Sequence, residues 1–551
     1  MDRGVTPSTR KNAGWARSEQ AHRLAGTTYG RGERIRRAAL AAIARRELIL
    51  QMLALGAAGC HRGNQAASRA RASTAIIGYD IDALNPAVDN AAKFLVFLPL
   101  VARDRNGQPE ARLAVRWGHS ADYREWTYSL RTDVRWHDGL PVTARDVKFT
   151  LDLGMHPDVL SPQGINIDSS TVVDESTIVV RYARPVAEPD WWVVYYPKHL
   201  LEDSDPTRFY AWDFWSHPVG NGAYRFVRSV PNTMMELAAN PDYYRGQPRI
   251  GRVTLKFVAE DRQAGLVDLL SGNIDVLDEA SPAQIPALAA ERRFRVYHRY
   301  AGNAAWGLYW QLKHPLFRDA RVRRALTLSI NRRELQQAAN LPEGPVVDGP
   351  YTARQLQRRE LGSPVPFDRA LARRLLDETG WRDLDGDGVR ERDGHPFRFT
   401  VVVSSYGTFG NMELYVQEQF RQVGVQMDIQ TVDQGVLNER RDNGEFEALL
   451  GFVSSEATWL QKYFARNPIG YRNPRLLDLL DRAGTTVVPE AEDGVYRELL
   501  EIFRTDAPIT FLFPRVNYQF AHRRVRGLSS PWWADAVEHM EDLWLEDEPK
   551  R

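Results

Sequence analysis

The sequence contains a single cysteine, Cys60, among its 551 residues. A disulfide scaffold, a four-cysteine zinc module and a CxxC redox pair all need more cysteines, so these classes are excluded. No apolar run reaches the roughly 18–20 residues that a membrane-spanning helix needs, which excludes a polytopic membrane protein. The length and composition are those of a globular chain with two to four domains.

Short catalytic and nucleotide-binding motifs are also missing. The sequence has no GxSxG nucleophile turn, no HExxH zinc motif, no Walker A loop and no dinucleotide-binding glycine pattern. We therefore predict that the protein is not an enzyme and needs no cofactor. A secreted hydrolase stays open as the alternative, because a pair of catalytic carboxylates leaves no short sequence signature.

Charge is distributed unevenly, although the formal net charge is only +1. Residues 1–71 contain 14 Lys and Arg against 4 Asp and Glu, whereas residues 72–551 contain 58 against 67. A mildly acidic body argues against a nucleic-acid-binding domain there, and we predict no nucleic-acid partner. A cytoplasmic regulator with a DNA-binding prefix is the alternative, but the prefix lacks a helix-turn-helix pattern.

Residues 45–60 have the parts of an export signal. Arg45 and Arg46 precede an apolar segment of about a dozen residues, and Ala58 and Gly59 precede Cys60. The segment resembles a bacterial lipobox, which implies cleavage before Cys60 and a lipid on its sulfur. Twin-arginine and general export both stay open, and a short buried helix with a core cysteine is the structural alternative.

This interpretation divides the N-terminal part of the chain in two. Residues 1–60 are predicted to be an export signal that ends in the lipobox cysteine. Residues 61–73 are small and polar and are predicted to form a flexible tether. The mature protein would then be lipid-anchored, in the periplasm or on the outer face of the cell membrane.

The rest of the chain mixes strand and helix patterns. Residues 125–131 alternate apolar and polar side chains as strands do, and residues 320–329 and 369–379 have helical periodicity. Thr143 and Asp146 have the spacing of a capping box at the start of a helix. This mixture predicts α/β lobes.

Six stretches of the body, taken in order, resemble one protein family. They are residues 125–151 (EWTYSLRTDVRWHDGLPVTARDVKFTL), 218–226 (PVGNGAYRF), 240–249 (NPDYYRGQPR), 269–276 (LLSGNIDV), 317–331 (FRDARVRRALTLSIN) and 375–394 (LLDETGWRDLDGDGVRERDG). The family is that of the large solute-binding proteins of the dipeptide and oligopeptide type, which feed ABC importers. In the second stretch, Gly220 and Gly222 are predicted to allow a sharp turn before a strand.

The resemblance implies an α/β fold of the periplasmic-binding-protein type in its large, cluster C form, with two lobes around a cleft and a third small domain. Lobe I would comprise residues 74–110, 219–302 and 505–551, and lobe II residues 303–504. Residues 111–218 would form the small accessory domain.

The resemblance also implies a function. The lobes would close on a peptide or similar small solute, and the closed form would deliver it to ABC permease subunits in the membrane. We predict hinge strands near residues 299–303 and 503–506, where the chain would cross between the lobes.

Candidate ligand contacts are aromatic and polar residues near predicted loops and strand ends. Flat aromatic rings suit ligands whose side chains vary, because they offer large apolar contact area. The candidates are Tyr79, Asn303, Trp306, Tyr406, Glu456 and Trp459.

The family typically binds the ammonium group of its ligand with an aspartate of lobe II, in a stretch that here reads GFVSSEATW (residues 451–459). This stretch has no aspartate, and Glu456 is its only carboxylate. We predict that Glu456 takes the role of ammonium partner, with an ordinary surface residue as the equal alternative. The departure leaves other solutes open, among them a sugar, an opine or a metal chelate.

One loop resembles the start of a calcium site. Asp383, Asp385, Asp387 and Gly388 match the first positions of an EF-hand loop, but Gly394 stands where the final glutamate is needed. We predict a surface turn whose carboxylates bond to their own backbone, with a metal site as the alternative.

Overall fold

The fold is seen in a computed structural model of the chain. The structure describes residues 74–79, 93–104, 108–159, 166–187, 193–231, 233–258, 263–278, 284–352, 355–356, 363–405, 412–528 and 539–546. The predicted export signal, its Cys60 and the tether lie outside the described residues, as does Tyr406. The side chain of Tyr79 is also outside them.

The β-strands of the described residues are numbered in chain order. They are β1 Thr74–Tyr79, β2 Val101–Arg103, β3 Pro109–Ala111, β4 Ala114–His119, β5 Glu125–Leu130, β6 Ile167–Asp174, β7 Thr177–Tyr182, β8 Tyr224–Val230, β9 Met234–Ala239, β10 Arg252–Phe257, β11 Val276–Asp278, β12 Phe294–Trp310, β13 Glu391–Arg392, β14 His395–Pro396, β15 Arg398–Ser404, β16 Gln426–Val432, β17 Ala448–Ser454, β18 Ile509–His522, β19 Val525–Arg526 and β20 Trp544–Leu545.

The α-helices of the described residues are numbered in the same way. They are α1 Lys93–Val96, α2 Ala144–Gly154, α3 Lys198–Leu201, α4 Gln263–Ser271, α5 Ile285–Ala290, α6 Ala320–Ser329, α7 Arg332–Ala338, α8 Arg369–Glu378, α9 Met412–Arg421, α10 Gln434–Asn443, α11 Ala457–Arg466, α12 Pro474–Ala483 and α13 Pro489–Asp506. Within these described parts of the chain, we find no helix whose length and apolar content suit a bilayer crossing.

A ten-stranded sheet runs through the structure in the order β16-β15-β17-β12-β18-β11-β1-β10-β9-β8. The long strands β12 and β18 lie antiparallel at its centre, with β17 beside β12 and β11 beside β18. On one side β15 pairs in parallel with β16 and β17, and on the other β1 pairs in parallel with β10 and β11. The sheet therefore has two α/β halves that β12 and β18 join.

The buried side chains form two hydrophobic clusters, and the first of them also includes Leu269 and Leu277 of the N-terminal half. One cluster of buried side chains extends from Val258 to Phe520 and surrounds β12, β15, β17 and β18. The other extends from Ala75 to Leu255 and includes buried side chains between residues 521 and 543. The end of the described chain therefore packs against the N-terminal half, although it follows the C-terminal half in sequence.

A smaller antiparallel sheet, in the order β4-β5-β7-β6, packs against α2. The predicted capping box at the start of α2 is confirmed: the backbone N–H of Thr143 donates to Asp146 Oδ2 at 2.8 Å, and the Thr143 hydroxyl accepts from the first turn. The cap fixes where the helix begins and therefore how its apolar face meets the sheet.

The helices predicted at residues 320–329 and 369–379 are confirmed as α6 and α8. The hinge strand predicted at residues 503–506 is wrong, because these residues form the last turn of α13. The side chain of Arg323, buried on α6, explains this extension of the helix. Its Nε donates to the carbonyl oxygens of Asp506 and Ala507 at 2.9 and 3.1 Å and so satisfies the end of the helix.

Gly220 and Gly222 are required for a reason other than the predicted turn. Neither glycine has a φ in the left-handed region. A Cβ atom on Gly220 would lie only 1.9 Å from the carbonyl oxygen of Val96, and a Cβ atom on Gly222 would lie 2.7 Å from the carbon of the same carbonyl group. The N–H groups of Asn221 and Gly222 donate to the Val96 oxygen at 3.0 and 2.8 Å. The glycines therefore allow two backbones to approach closely just before β8.

His137 bonds to the same segment and provides a test of it. The N–H of Gly220 donates to His137 Nδ1 at 3.2 Å, so Nε2 carries the proton and donates to the Gly222 oxygen at 3.2 Å. Burial lowers the pKa of His137 to about 4, against roughly 6.5 in an unfolded chain. Between these values the unfolded state binds more protons than the folded state, so lowering the pH destabilises the protein.

We expect the free energy of unfolding to fall by about 2–2.5 kcal/mol between pH 7 and pH 4.5 because of this residue. Urea unfolding at both pH values should show the fall for the native sequence. His137→Gln should be less stable at pH 7 and lose less on acidification. An equal loss in both proteins would contradict the assignment.

Candidate functional site

The ends of the parallel strands define the candidate site. β1, β10 and β11 end at Tyr79, Phe257 and Asp278, and because they are parallel their carboxyl ends share one edge of the sheet. β15, β16 and β17 are also parallel and end together at a second edge. Ligands of open α/β sheets bind outside the carboxyl ends of the strands, so both edges are candidates.

Strand directions show that the two edges face each other. The first residues of β12 lie in the N-terminal half, beside the part of β18 that pairs with β11. Its last residues lie in the C-terminal half and pair with β17. β11 is antiparallel to β18 and β18 to β12, so β11 points toward the C-terminal half. β17 is antiparallel to β12, so it points toward the N-terminal half. The space between the edges is therefore lined by strand ends from both halves.

Glu456 lies at the edge of the C-terminal half, directly after Ser454 and Ser455 at the end of β17. It is exposed, and Asn303 Nδ2 donates to its Oε1 at 3.2 Å. The backbone N–H of Ser455 donates to the Asn303 oxygen at 2.8 Å. The structure thus brings together two predicted site residues that are 153 positions apart in the sequence.

Glu456 precedes α11 but makes no side-chain hydrogen bond to the N-terminus of that helix. Its carboxylate is instead turned to Asn303. Trp459, three residues further on, lies in the first turn of α11. Its half-buried ring stacks on Tyr463 at a centroid distance of 5.1 Å, with the Arg441 guanidinium 5.5 Å from its centroid.

Trp306 is buried, with 7% of its surface exposed. It lies across from Phe452 of β17, and the two ring centroids are 4.3 Å apart. Phe452 is half-buried, and the guanidinium carbon of Arg515 lies 4.8 Å from its ring centroid. Trp306 therefore supports a surface made by Phe452 and Arg515.

Of the other two aromatic candidates, only the backbone of Tyr79 is described. Tyr79 is the last residue of β1 and pairs with Phe257, so its backbone lies at the edge of the N-terminal half. Tyr406 is outside the described residues, but Ser405 just before it donates its N–H to the Val432 oxygen at 2.7 Å. Ser405 therefore lies at the edge of the C-terminal half.

The Asp-rich loop lies at the opposite edge, before β15 begins at Arg398. Asp383, Asp385 and Glu391 have carboxylate oxygens within 4.8 Å of one another, and Asp387 is not part of this group. Asp383 accepts from two backbone N–H groups of its own loop, and Glu391 accepts from a third. This arrangement is that of the predicted surface turn, about 23 Å along β15 from the facing edges.

Sequence reasoning missed Phe452 and Arg515. Arg515 could have been noticed as a lone charge in the otherwise apolar run FLFPRV, residues 511–516. Its proximity to Phe452 could not, because it depends on the pairing of β12 with both β17 and β18.

Two halves whose strand ends face each other, joined by two long central strands, define a two-lobed binding protein. Comparison with known proteins agrees with this class. The family model described as bacterial extracellular solute-binding proteins, family 5 (middle), matches residues 108–466. The chain belongs to this family, whose members are the extracytoplasmic binding components of ABC importers and not enzymes, which confirms the prediction of a non-catalytic protein.

Three known proteins illustrate the similarity. The oligopeptide-binding protein AppA of Bacillus subtilis (strain 168) is 24% identical over 455 residues, which cover 76% of this chain and 80% of AppA. The solved structure of AppA in complex with a nonapeptide has a TM-score of 0.65 at 20% identity, covering 86% of this chain and 99% of AppA. NikZ from Campylobacter jejuni, in complex with Ni(L-His), has a TM-score of 0.70 at 20% identity with the same coverage. The predicted two-lobed α/β fold is confirmed.

Proposed function

We propose that the protein captures a peptide between its two carboxyl edges and delivers it to the permease of an ABC importer. The position of Glu456 carries this proposal, because an exposed carboxylate at a facing strand end suits the ammonium group of a peptide. Asn303 keeps the carboxylate oriented by a hydrogen bond of 3.2 Å. The similarity to AppA supports the same ligand class.

The proposed motion is closure of lobe I onto lobe II, with the peptide touching both. A register shift in the central strands supports a hinge. Tyr300 pairs with Val516, and Ala305 pairs with Pro514. Residues 301–304 therefore form a bulge opposite the single residue Arg515. Pro514 has no N–H to donate to the ladder. We therefore propose that bending occurs at this bulge, which replaces the hinge predicted at residues 503–506.

One contact outside the central strands supports closure. Arg184, which follows β7, and Asp481 of α12 form an ion pair of 3.8 Å, and both side chains are about half exposed. Exposed pairs of this kind contribute about 0–1 kcal/mol. The pair joins the small sheet to the C-terminal half and so opposes opening only weakly, as a reversible clamp requires.

The packing of the chain end supports one part of the proposed division of the chain. We propose lobe I as residues 74–110, 219–302 and 505–551, lobe II as residues 303–504, and an accessory domain of residues 111–218. The buried side chains between residues 521 and 543 that join the N-terminal core support assigning the end of the chain to lobe I.

Native mass spectrometry of the purified protein tests the proposed ligand. We expect a bound mass that fragments into an amino-acid sequence, or, for empty protein, binding of added tripeptides with a free N-terminus. A retained or added sugar or metal chelate that binds while peptides do not would overturn the peptide assignment and leave the family unchanged.

We also propose that the mature protein is anchored by a lipid on Cys60, on the outer side of the membrane. The apolar segment with small residues before the only cysteine supports this. Labelling of cells with radioactive palmitate should mark the native protein and leave Cys60→Ser unlabelled. Equal labelling of both proteins, or of neither, would contradict the anchor.

A further inference from the structure

Residues 340–351 form a segment of the C-terminal half that packs on the central strands at the proposed hinge, and we call it the strap. It follows α7 and reads NLPEGPVVDGPY. Each of its three prolines fixes the φ angle of its own residue, which restricts the backbone of the segment. Leu341 and Val347 of the strap are buried in the same hydrophobic cluster as Tyr300 of β12 and Tyr518 of β18. The strap therefore contacts both strands at which bending is proposed.

One end of the strap is bound to helices of the C-terminal half. The carboxylate of Asp348 accepts from Arg332 of α7 at 2.7 Å and from Arg504 of α13 at 2.9 Å. Asp348 and Arg332 are both buried, so breaking their ion pair would leave an uncompensated charge. This end of the strap therefore moves with the C-terminal half.

The other end of the strap contacts side chains beyond the bulge, on the part of the sheet that belongs to the N-terminal half. His298 pairs with Tyr518 and lies two residues before Tyr300, so these three rings share one face of the sheet. The Tyr518 hydroxyl donates to the Asn340 oxygen at 3.4 Å, and the Tyr300 hydroxyl donates to the Glu343 oxygen at 3.5 Å. The strap thus extends from one side of the hinge to the other.

The tightest of these contacts is the packing of Gly344 on Tyr300. A Cβ atom on Gly344 would lie 2.3 Å from the Tyr300 hydroxyl oxygen, so the strap lies against this ring without space for a side chain. The two hydrogen bonds are long at 3.4 and 3.5 Å, and packing therefore contributes more than they do. The strap also contacts the bulge itself, because the Tyr351 hydroxyl donates to the Ala304 oxygen at 2.5 Å.

Bending at the bulge would move Tyr300 and Tyr518 relative to the strap, because the strap moves with the C-terminal half. The strap contacts therefore stabilise the conformation in which they form, which is also the one in which Arg184 and Asp481 form their ion pair. We propose that the strap stabilises the closed form of the clamp without contacting the solute. The apparent affinity for a solute rises with the fraction of protein that is closed, so the strap sets that affinity from the hinge. This inference rests on the proposed capture of a peptide by lobe closure.

Substitution of Gly344 tests the strap, and a second substitution should reverse its effect. Gly344→Ala places a Cβ atom against the Tyr300 hydroxyl oxygen and should push the strap away from the ring. Adding Tyr300→Phe removes that oxygen and should allow the strap to pack again. Gly494→Ala is the matched control, because a Cβ atom on this residue of α13 meets no atom within 4 Å. Native mass spectrometry with a pool of mixed tripeptides that have a free N-terminus measures the apparent affinity and the fraction of protein that binds at saturation.

We expect Gly344→Ala to bind the pool about three- to tenfold more weakly than the native protein, because a smaller fraction of it is closed. The double variant should bind within about twofold of Tyr300→Phe alone, and Gly494→Ala should match the native protein. Tyr518→Phe, which removes only the hydrogen bond to Asn340, should weaken binding about two- to threefold. A folding defect would instead lower the fraction of protein that binds. Small-angle X-ray scattering of the peptide-free proteins should give a larger radius of gyration for Gly344→Ala than for the native protein.

Three results would overturn the proposed role of the strap. They are unchanged or tighter binding by Gly344→Ala or Tyr518→Phe, a loss in Gly344→Ala that Tyr300→Phe does not reverse, and equal radii of gyration for Gly344→Ala and the native protein. Binding of no tripeptide by the native protein would instead overturn the proposed peptide function.

Discussion

Replacing Asp348 by alanine is expected to lower the free energy of unfolding by about 3–5 kcal/mol. Asp348 lies in the C-terminal half, with only 3% of its side chain exposed, and Arg332 beside it has 5% exposed. Its Oδ1 accepts from Arg332 Nη1 at 2.7 Å, and its Oδ2 accepts from Arg504 Nε at 2.9 Å. The N–H of Val365 donates to the same Oδ2 at 2.8 Å.

The expected loss of stability arises because the substitution leaves a buried guanidinium without its carboxylate. A buried guanidinium that loses its carboxylate keeps its desolvation penalty, because water cannot replace the missing partner. Asp428→Ala serves as the matched control: Asp428 pairs with Arg398 at 2.7 Å, but 42% and 56% of the two side chains are exposed. Its loss should change stability by less than about 1 kcal/mol.

Urea unfolding followed by circular dichroism measures both variants. We expect the transition of the Asp348 variant to move to clearly lower urea and that of the Asp428 variant to stay near the native one. Equal shifts for the two would mean that burial does not strengthen the Asp348 ion pairs.

Replacing Glu456 by glutamine is expected to weaken the binding of a peptide with a free N-terminus by about 10–100-fold. Glutamine keeps the shape and can still accept from Asn303, but it removes the charge. A hydrogen bond to a charged partner contributes about 1.5–3 kcal/mol, and each 1.4 kcal/mol is tenfold in affinity. The loss should therefore appear only for ligands that carry an ammonium group.

Isothermal titration with a peptide and its N-acetylated form measures this effect. The native protein should prefer the free N-terminus, whereas Glu456→Gln should bind the two forms within about threefold of each other. Glu439→Gln, on an exposed position of α10, is the control and should behave as the native protein. If Glu456→Gln kept the full preference, the ammonium would be bound elsewhere.

Local sequence signals predicted those helices whose limits are set by residues close to them in the sequence. The capping box of Thr143 and Asp146 predicted the start of α2, and apolar periodicity predicted α6 and α8. The resemblance to a known family supplied the two-lobed fold, which no single motif indicates. The end of α13 was missed because it depends on Arg323, which lies 183 residues earlier and satisfies the carbonyl of Asp506.

Only part of the candidate site was predicted, because the rest depends on contacts between residues that are distant in the sequence. Glu456 and Asn303 were identified as residues of a suitable kind near strand ends, but their contact arises only when β12 pairs with β17. Trp306 was predicted as a ligand contact from its aromatic type, and its packing against Phe452 depends on the pairing of β12 with β17. Arg515 lies opposite a bulge in β12, a non-local feature that sequence periodicity does not indicate.

Small-angle X-ray scattering of the protein with and without a saturating peptide tests the clamp most directly. The peptide should be one whose binding has been established by calorimetry. Closure of two facing edges about the bulge at residues 301–304 predicts a smaller radius of gyration and a shorter maximum dimension in the bound state. Superimposable curves for the free and fully bound protein would contradict closure.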